Sequence, residues 1–448
     1  MRSHSLAAAR GGVFAAAAIV LLSVALGLLV GQGRRELVAV VGGSLLFVAL
    51  VWDMRLVAPV MAVALPLAPR FETGFGNVYL STAILALAFV AWLWRAPLTR
   101  SPLSFPTNRV LTAMAIMVSV MVLSAAQDLP RMISDAPALL KFVQLCLYLG
   151  MFVMLTEMSW DSRATRAVLA LVIAVGLVEA LIGAWQNLSR PGFYTRGTLE
   201  GGHNDYAIYM VFVALLLLGV LLESRRPAVA VGCLAGLAVL AYSIVFSFSR
   251  GSYVGLLAAL VTFGFMPFSR KRKIILLAVA VGFIGFLFAL APTDVVYRAR
   301  SILSTLTGKV VTLSFNLRLG MWRAALADFM DNPILGRGTW SYSLRDNFYI
   351  KMLGEAGALG LAAFLGLIYA ILREEWRAIN LRASDTLTRG VTLGLMPATV
   401  GCLVVGNMSG DFFLSHRFMG TFWIVLALAL VRGLGRERTG LDRAGQRT

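Results

Sequence analysis

Charge, cysteine and histidine are all scarce in this chain, and each scarcity excludes a class of protein. Only 14% of the 448 residues are Asp, Glu, Lys or Arg while 59% are apolar, and mean hydropathy is +0.81. That is far outside the soluble globular range, and many apolar runs reach the roughly 17–25 residues that cross a bilayer. The chain therefore reads as a polytopic integral membrane protein. Its three cysteines, Cys146, Cys233 and Cys402, stand inside apolar segments without pairing or metal-ligand spacing, which excludes a disulfide scaffold or a zinc site. No internal repeat or low-complexity tract is present, which argues against a solenoid. Acidic residues number 22 against 40 basic ones, a net charge of +18. In a soluble protein that excess would suggest nucleic acid. In a membrane protein Lys and Arg collect at cytoplasmic helix ends facing anionic lipid, so membrane lipids are the expected partners and nucleic acid is not.

What is present is a succession of apolar runs. They predict fourteen spans, at 12–30, 36–52, 54–69, 78–94, 109–125, 138–156, 167–188, 206–222, 228–245, 251–268, 273–291, 349–372, 391–406 and 417–432. The second and third are short and nearly continuous. The first follows Arg2 and Arg10 and imitates a signal peptide, but its length and the many spans after it favour a retained helix. The expected fold is all-α: one transmembrane domain over 1–448 with about 12–14 helices and one long extracytoplasmic loop.

With the amino terminus inside, 23 of the 40 Lys/Arg fall on the cytoplasmic side and 17 on the other. The short loops Arg270-Lys271-Arg272-Lys273 and Glu223-Ser224-Arg225-Arg226 and the basic tail 433–448 then all fall inside, as the positive-inside rule requires. The main exceptions are Arg34-Arg35 and the loop 292–348. That loop carries Arg298, Arg300, Lys309, Arg318, Arg323, Arg337 and Arg345, seven of the seventeen outer cations. Either an anionic ligand is bound there, or a long loop has been translocated regardless of its charge. Within it, 316–330 places Leu319, Trp322, Leu326 and Phe329/Met330 at helical spacing, which predicts a short amphipathic helix capped by Asn316 and ended by Asn332-Pro333.

Polar residues gather in four outer-face clusters, the usual sign of a cavity lining in an apolar protein. The first runs from Tyr194 through Arg196-Gly197 to His203-Asn204-Asp205-Tyr206. The second is Ser247-Phe248-Ser249-Arg250-Gly251-Ser252-Tyr253, where Arg250 either meets an anionic partner or reaches lipid headgroups. The third joins Arg318 to Trp322, Asn332-Pro333 through Gly338, Asp346-Asn347-Phe348-Tyr349 and Glu355. Glycines 354, 357 and 360 follow at a spacing that admits a neighbouring helix, and Glu355 is placed two turns below Asp346-Asn347. The fourth runs from Asn407 to Arg417, with His416-Arg417 either catalytic neighbours or an interfacial anchor.

Taken together, Ser249-Arg250-Gly251, Arg318…Trp322, Asn332-Pro333-x-x-Gly336-x-Gly338, Asp346-Asn347-x-Tyr349 and Glu355-x-Gly357-x-x-Gly360 resemble the O-antigen ligase and polymerase superfamily of bacterial envelope glycosyltransferases. The likeness covers roughly residues 190–365. It implies a multi-helix fold in the bacterial inner membrane and an undecaprenyl-diphosphate-linked glycan as donor. The acceptor would be a glycan, lipid or protein on the periplasmic face. The resemblance implies no cofactor and no bound metal. One departure stands out: ligases of this family typically carry His where this chain has Asp346, a weaker base unless burial raises its pKa.

Departure of a diphosphate needs fixed cations, and the planar, permanently charged guanidinium suits them. The expected clamp is Arg196, Arg250 and Arg318, closed by Arg337 or Arg345. Asp346 is the first candidate base and His203 the second, with Asn347 beside them. A transporter or flippase for an anionic glycolipid is the alternative, although few ionisable residues, chiefly Glu179 and Lys141, lie inside the apolar spans. A scaffold of an envelope assembly is a third class that no residue excludes.

Overall fold

The computed structural model describes residues 35–67, 70–73, 76–99, 108–190, 195, 197–198, 202–290, 293, 297, 313–338, 347–381, 385–406 and 418–430. The chain divides into two compact units, residues 1–57 with 84–103, and residues 58–83 with 104–448.

Helices α1 (Arg35–Trp52), α2 (Val57–Leu67) and α3 (Leu80–Thr99) come first, with the only strands among the described residues between α2 and α3. These are β1 (Arg70–Thr73) and β2 (Gly76–Tyr79), an antiparallel hairpin pairing Arg70 with Tyr79. The nearly continuous runs 36–52 and 54–69 separate at Asp53, whose carboxylate accepts from the Arg55 amide and caps a short 3-10 turn. Then follow α4 (Arg109–Ala126), α5 (Leu129–Ser134), α6 (Ala136–Glu157), α7 (Ser162–Ser189), α8 (His203–Glu223), α9 (Pro227–Phe246), α10 (Arg250–Phe265) and α11 (Arg270–Leu290). The described chain ends with α12 (Leu313–Asp331), α13 (Phe348–Asn380), α14 (Thr386–Gly406) and α15 (Phe418–Leu430). The protein is an all-α polytopic membrane protein apart from that hairpin. Among the described residues seven helices are long and apolar enough to span a bilayer, and five further apolar helices are shorter. The expected first span, 12–30, and the tail 433–448 lie outside the described residues.

Helix starts follow side-chain chemistry. Asn108, Asp135 and Asp161 accept from the Leu111, Ala138 and Ala164 amides at 2.8, 3.1 and 2.6 Å, satisfying N–H groups that α4, α6 and α7 leave open. The expected helix is present as α12, but it starts at Leu313, so Asn316 lies inside it rather than capping it, and Leu326 and Met330 of its expected apolar face are exposed.

The second unit is organised around α8. In its most apolar 18-residue window 94% of residues are buried, against 33% for α4 and α9, so α8 is an interior post and the others meet lipid. Phe212 of α8 packs against Phe418 and Phe422 of α15 at 5.1 and 6.3 Å between ring centroids. Along α14 the helices approach at glycines: a Cβ on Gly219 would overlap the Gly390 carbonyl, and one on Gly394 the Leu215 carbonyl. Those pairs run in opposite directions along the two helices, so His203, the first residue of α8, lies at the carboxyl end of α14. Gly255 of α10 meets Gly401 and Val405 of α14, which puts Arg250 at that same end.

The expected continuous span 349–372 is broken. Gly357 has φ 66° and ψ −165°, and α13 turns back on itself there. The rings of Phe348 and Tyr349 lie 4.8 and 5.6 Å from that of Phe364, whereas sixteen residues of straight helix cover about 24 Å. The second arm runs antiparallel to α4: Ser124 contacts Glu355, and Arg109 lies 3.9 Å from Glu374. Glu355 thus sits two turns along the first arm from Asn347, as expected, but just before the apex of a helical V rather than within one continuous span.

Candidate functional site

The break in α13 leaves backbone groups without intrahelical partners, and residues 332–338 supply them. The Arg337 and Gly338 amides donate to the Gly354 and Glu355 carbonyls at 2.8 and 2.9 Å. In return the Ala358 and Leu359 amides donate to the Pro333 and Ile334 carbonyls at 2.9 and 3.2 Å. Ser124 Oγ donates to the Glu355 carbonyl at 2.6 Å and ties α4 to the apex. Such a break is tolerable in a membrane protein only when protein groups take up the freed donors and acceptors. Glycine is required here for space and for backbone angle: a Cβ on Gly336 would lie 2.5 Å from the Ala356 nitrogen, and one on Gly338 would overlap the Ser124 carbonyl. Both residues have positive φ, at 67° and 74°. The Asn332-Pro333-x-x-Gly336-x-Gly338 and Glu355-x-Gly357 motifs are therefore two halves of one clasp. The glycine spacing 354/357/360, expected to admit a helix, admits α12 at Gly354, where Ala325 packs, and the 332–338 segment at Gly357.

The first and second clusters also converge. The Thr195 amide donates to the Phe246 carbonyl at 3.1 Å and its hydroxyl to the Ser243 carbonyl at 3.1 Å. Three residues on, the Thr198 amide donates to Glu179 Oε2 at 3.0 Å and its hydroxyl to Glu179 Oε1, while Gln186 Nε2 donates to the Gly197 carbonyl. Tyr206 Oη donates to the Glu179 carbonyl at 3.2 Å. Arg196 lies outside the described residues, but both its chain neighbours are held, Thr195 against the last turn of α9, just before the turn that starts α10. In that turn Phe248 takes a positive φ of 53°, Ser252 Oγ lies 3.0 Å from Ser249 Oγ, and Tyr253 Oη donates to the Val245 carbonyl at 2.6 Å.

The individual candidates fall as follows. His203 is the half-buried first residue of α8, and Arg250 the half-buried first residue of α10. Asn347 caps α13, its Oδ1 accepting from the Tyr349 and Ile350 amides at 3.1 and 3.2 Å. Tyr349 Oη donates to the Leu403 carbonyl at 3.4 Å, bringing the start of α13 to the end of α14. Arg318 is half-buried in the second turn of α12. Arg337 Nη1 lies 3.4 Å from Asp328, so its guanidinium fastens the turn to α12. Asp346, Arg345 and the 407–417 cluster, like Arg196, lie outside the described residues.

Sequence reasoning passes over the work of Glu179, Ser124 and Asp328. Glu179 had a visible signal, since a lone carboxylate amid an apolar helix needs partners. Ser124 and Asp328 had none, because neither type nor spacing marks them.

Helices α8, α10 and α13 thus all begin at the end of α14. Amide N–H groups and positive dipole ends point outward from such starts, a field that attracts anions, and Arg250 adds a full charge. The arrangement suits a ligand with several negative oxygens. No curated protein matches the chain. Residues 235–365, from the middle of α9 into the second arm of α13, match a family model described as O-antigen ligase, which takes in Arg250, Arg318 and both halves of the clasp. Over that stretch the chain is similar to O-antigen ligases, and its apolar helices make it a multi-pass membrane protein.

Proposed function

We propose that this protein transfers a glycan from an undecaprenyl-diphosphate carrier to an acceptor hydroxyl on a glycan, lipid or protein, at the periplasmic face of the bacterial inner membrane. The observation that carries the reading is the meeting of three helix starts and Arg250 at one end of α14, beside the loop that carries Arg196. Arg196 and Arg250 bind the diphosphate oxygens, and Arg318 joins them from α12. Arg337 is engaged with Asp328, so Arg345 is the better choice for closing the site.

In the reaction Asp346 takes the proton of the acceptor hydroxyl, with His203 as the second candidate. The freed oxygen pair attacks the anomeric carbon, and the bond from that carbon to the diphosphate oxygen breaks. The diphosphate leaves with the electron pair, its charge held by the guanidinium groups. A single displacement inverts the anomeric centre.

The test is transfer of an undecaprenyl-diphosphate-linked glycan by the purified protein in liposomes. Wild type should form product and Arg250→Ala should reduce it by two or more orders of magnitude, with normal membrane insertion. Wild-type rates in Arg250→Ala would remove the clamp. Passage of the lipid across the bilayer without new glycosidic product would replace the enzyme by a transporter.

A further inference from the structure

The other end of the bundle holds a second polar site. Glu223 follows His203 by twenty residues on α8, about 30 Å along the helix. Its carboxylate, 6% exposed, meets Arg272 Nη2 of α11 at 2.9 Å through one oxygen and Arg389 Nε of α14 at 3.2 Å through the other. Beside this triad opens a cavity of about 300 Å³ lined by Phe268, Arg272, Trp376, Asn380, Arg389 and Leu393 among others. That is the lower end of the size range of ligand pockets.

The charge does not balance. One carboxylate faces two guanidinium groups, and Arg225, Arg226, Arg270, Lys271 and Lys273 flank the triad in sequence. Each guanidinium offers five N–H donors in a fixed fork, and among the described residues Glu223 is the only side-chain partner of either. The remaining donors suit the paired oxygens of a phosphate. The walls are mixed: Phe268 and Leu393 are apolar, and Trp376, 44% exposed, stands among the lining residues as tryptophan does at membrane interfaces. A cationic head with apolar walls, between helix ends, fits an amphiphile with a phosphate headgroup.

We propose that this cavity binds the phosphate of an acidic phospholipid from the leaflet at that end of the bundle. The site is independent of glycan transfer and joins α8, α11 and α14 through one ligand.

The test uses the full-length protein purified in neutral detergent with phosphatidylcholine, to which phosphatidylglycerol or inorganic phosphate is added separately. Thermal unfolding and native mass spectrometry are the readouts. Phosphatidylglycerol should raise Tm saturably by a few degrees and leave one retained lipid, and the triple variant Glu223→Gln/Arg272→Gln/Arg389→Gln should lose both effects. Glu223→Gln alone, which removes the competing carboxylate and keeps the cations, should show a larger rise at lower lipid concentration. It keeps the idea testable if the triple variant does not fold. An unchanged lipid response in the triple variant, or a weaker one in Glu223→Gln, overturns the site. An equal rise with inorganic phosphate alone assigns it to free phosphate and overturns the lipid as occupant.

Discussion

Two polar segments flank the helix starts at the end of α14, and they are fixed by opposite means. Thr195, Gly197 and Thr198 are held largely by side chains: Glu179, Gln186, Thr195 and Thr198 make most of their bonds. The 332–338 segment is held by the backbone, four amide-to-carbonyl bonds laid across a broken helix with glycines where no side chain fits. A side-chain anchor can be weakened by degrees through substitution. A backbone clasp closed over glycine has no intermediate setting, so the two segments should respond differently to mutation.

The largest effect is expected at the clasp. Gly338→Ala and Gly357→Ala each force a side chain into positive φ, at a cost on the order of 1–3 kcal/mol before any overlap with the Ser124 or Ile334 carbonyls is counted. Both should collapse the yield of folded protein in detergent size exclusion. Gly366→Ala, in open space on the same helix, should be neutral or slightly stabilising. If Gly338→Ala melts like wild type, the clasp is not structural.

Glu179 comes next. Glu179→Ala removes the acceptor of the Thr198 amide and one of the two acceptors of its hydroxyl, which keeps the Pro66 carbonyl at 3.4 Å. Because Thr198 is exposed the loss should be about 0.5–1.5 kcal/mol, and smaller for Glu179→Gln, which keeps one acceptor. A graded fall in Tm, Ala below Gln below Glu, would support a side-chain anchor; equal losses would make it as all-or-none as the clasp. Ser124→Ala removes one donor to the apex and should cost about 1 kcal/mol. The smallest change is expected from Asp328→Asn. It opens a half-exposed ion pair worth about 0.2–1 kcal/mol, and the difference from wild type should shrink in high salt.

Much of the fold could be read from the chain because hydropathy and length are what a bilayer selects. The runs 109–125, 206–222 and 228–245 return as α4, α8 and α9 within three residues at each end. The hairpin at 70–79 was not visible, being short and set between two spans. Nor was the break at Gly357, since Gly354, Gly357 and Gly360 have the spacing of a packing face whether or not the helix continues. Only the sign of φ distinguishes the two, and composition does not carry it. At the site the chain showed which polar stretches matter, while the partners that hold them are single residues on distant helices. Thr198 and Glu179 are nineteen positions apart, and Ser124 and Glu355 are 231 apart.

The glycine contacts of α14 have a mechanical consequence. Backbone touches backbone where Gly390 and Gly394 meet α8 and where Gly401 meets α10, so these three helices cannot slide past one another without collision. Helix α11 has no such contact at Gly282 or Gly285, which face open space, and an apolar cleft of about 480 Å³ separates it from α8, α9 and α10. Stiffness and compliance are therefore divided between neighbours. The three-helix post is locked backbone to backbone, whereas α11 joins it through side chains alone where the Arg272–Glu223 ion pair closes one end, so substitutions along the cleft should be absorbed without disturbing the register of the post.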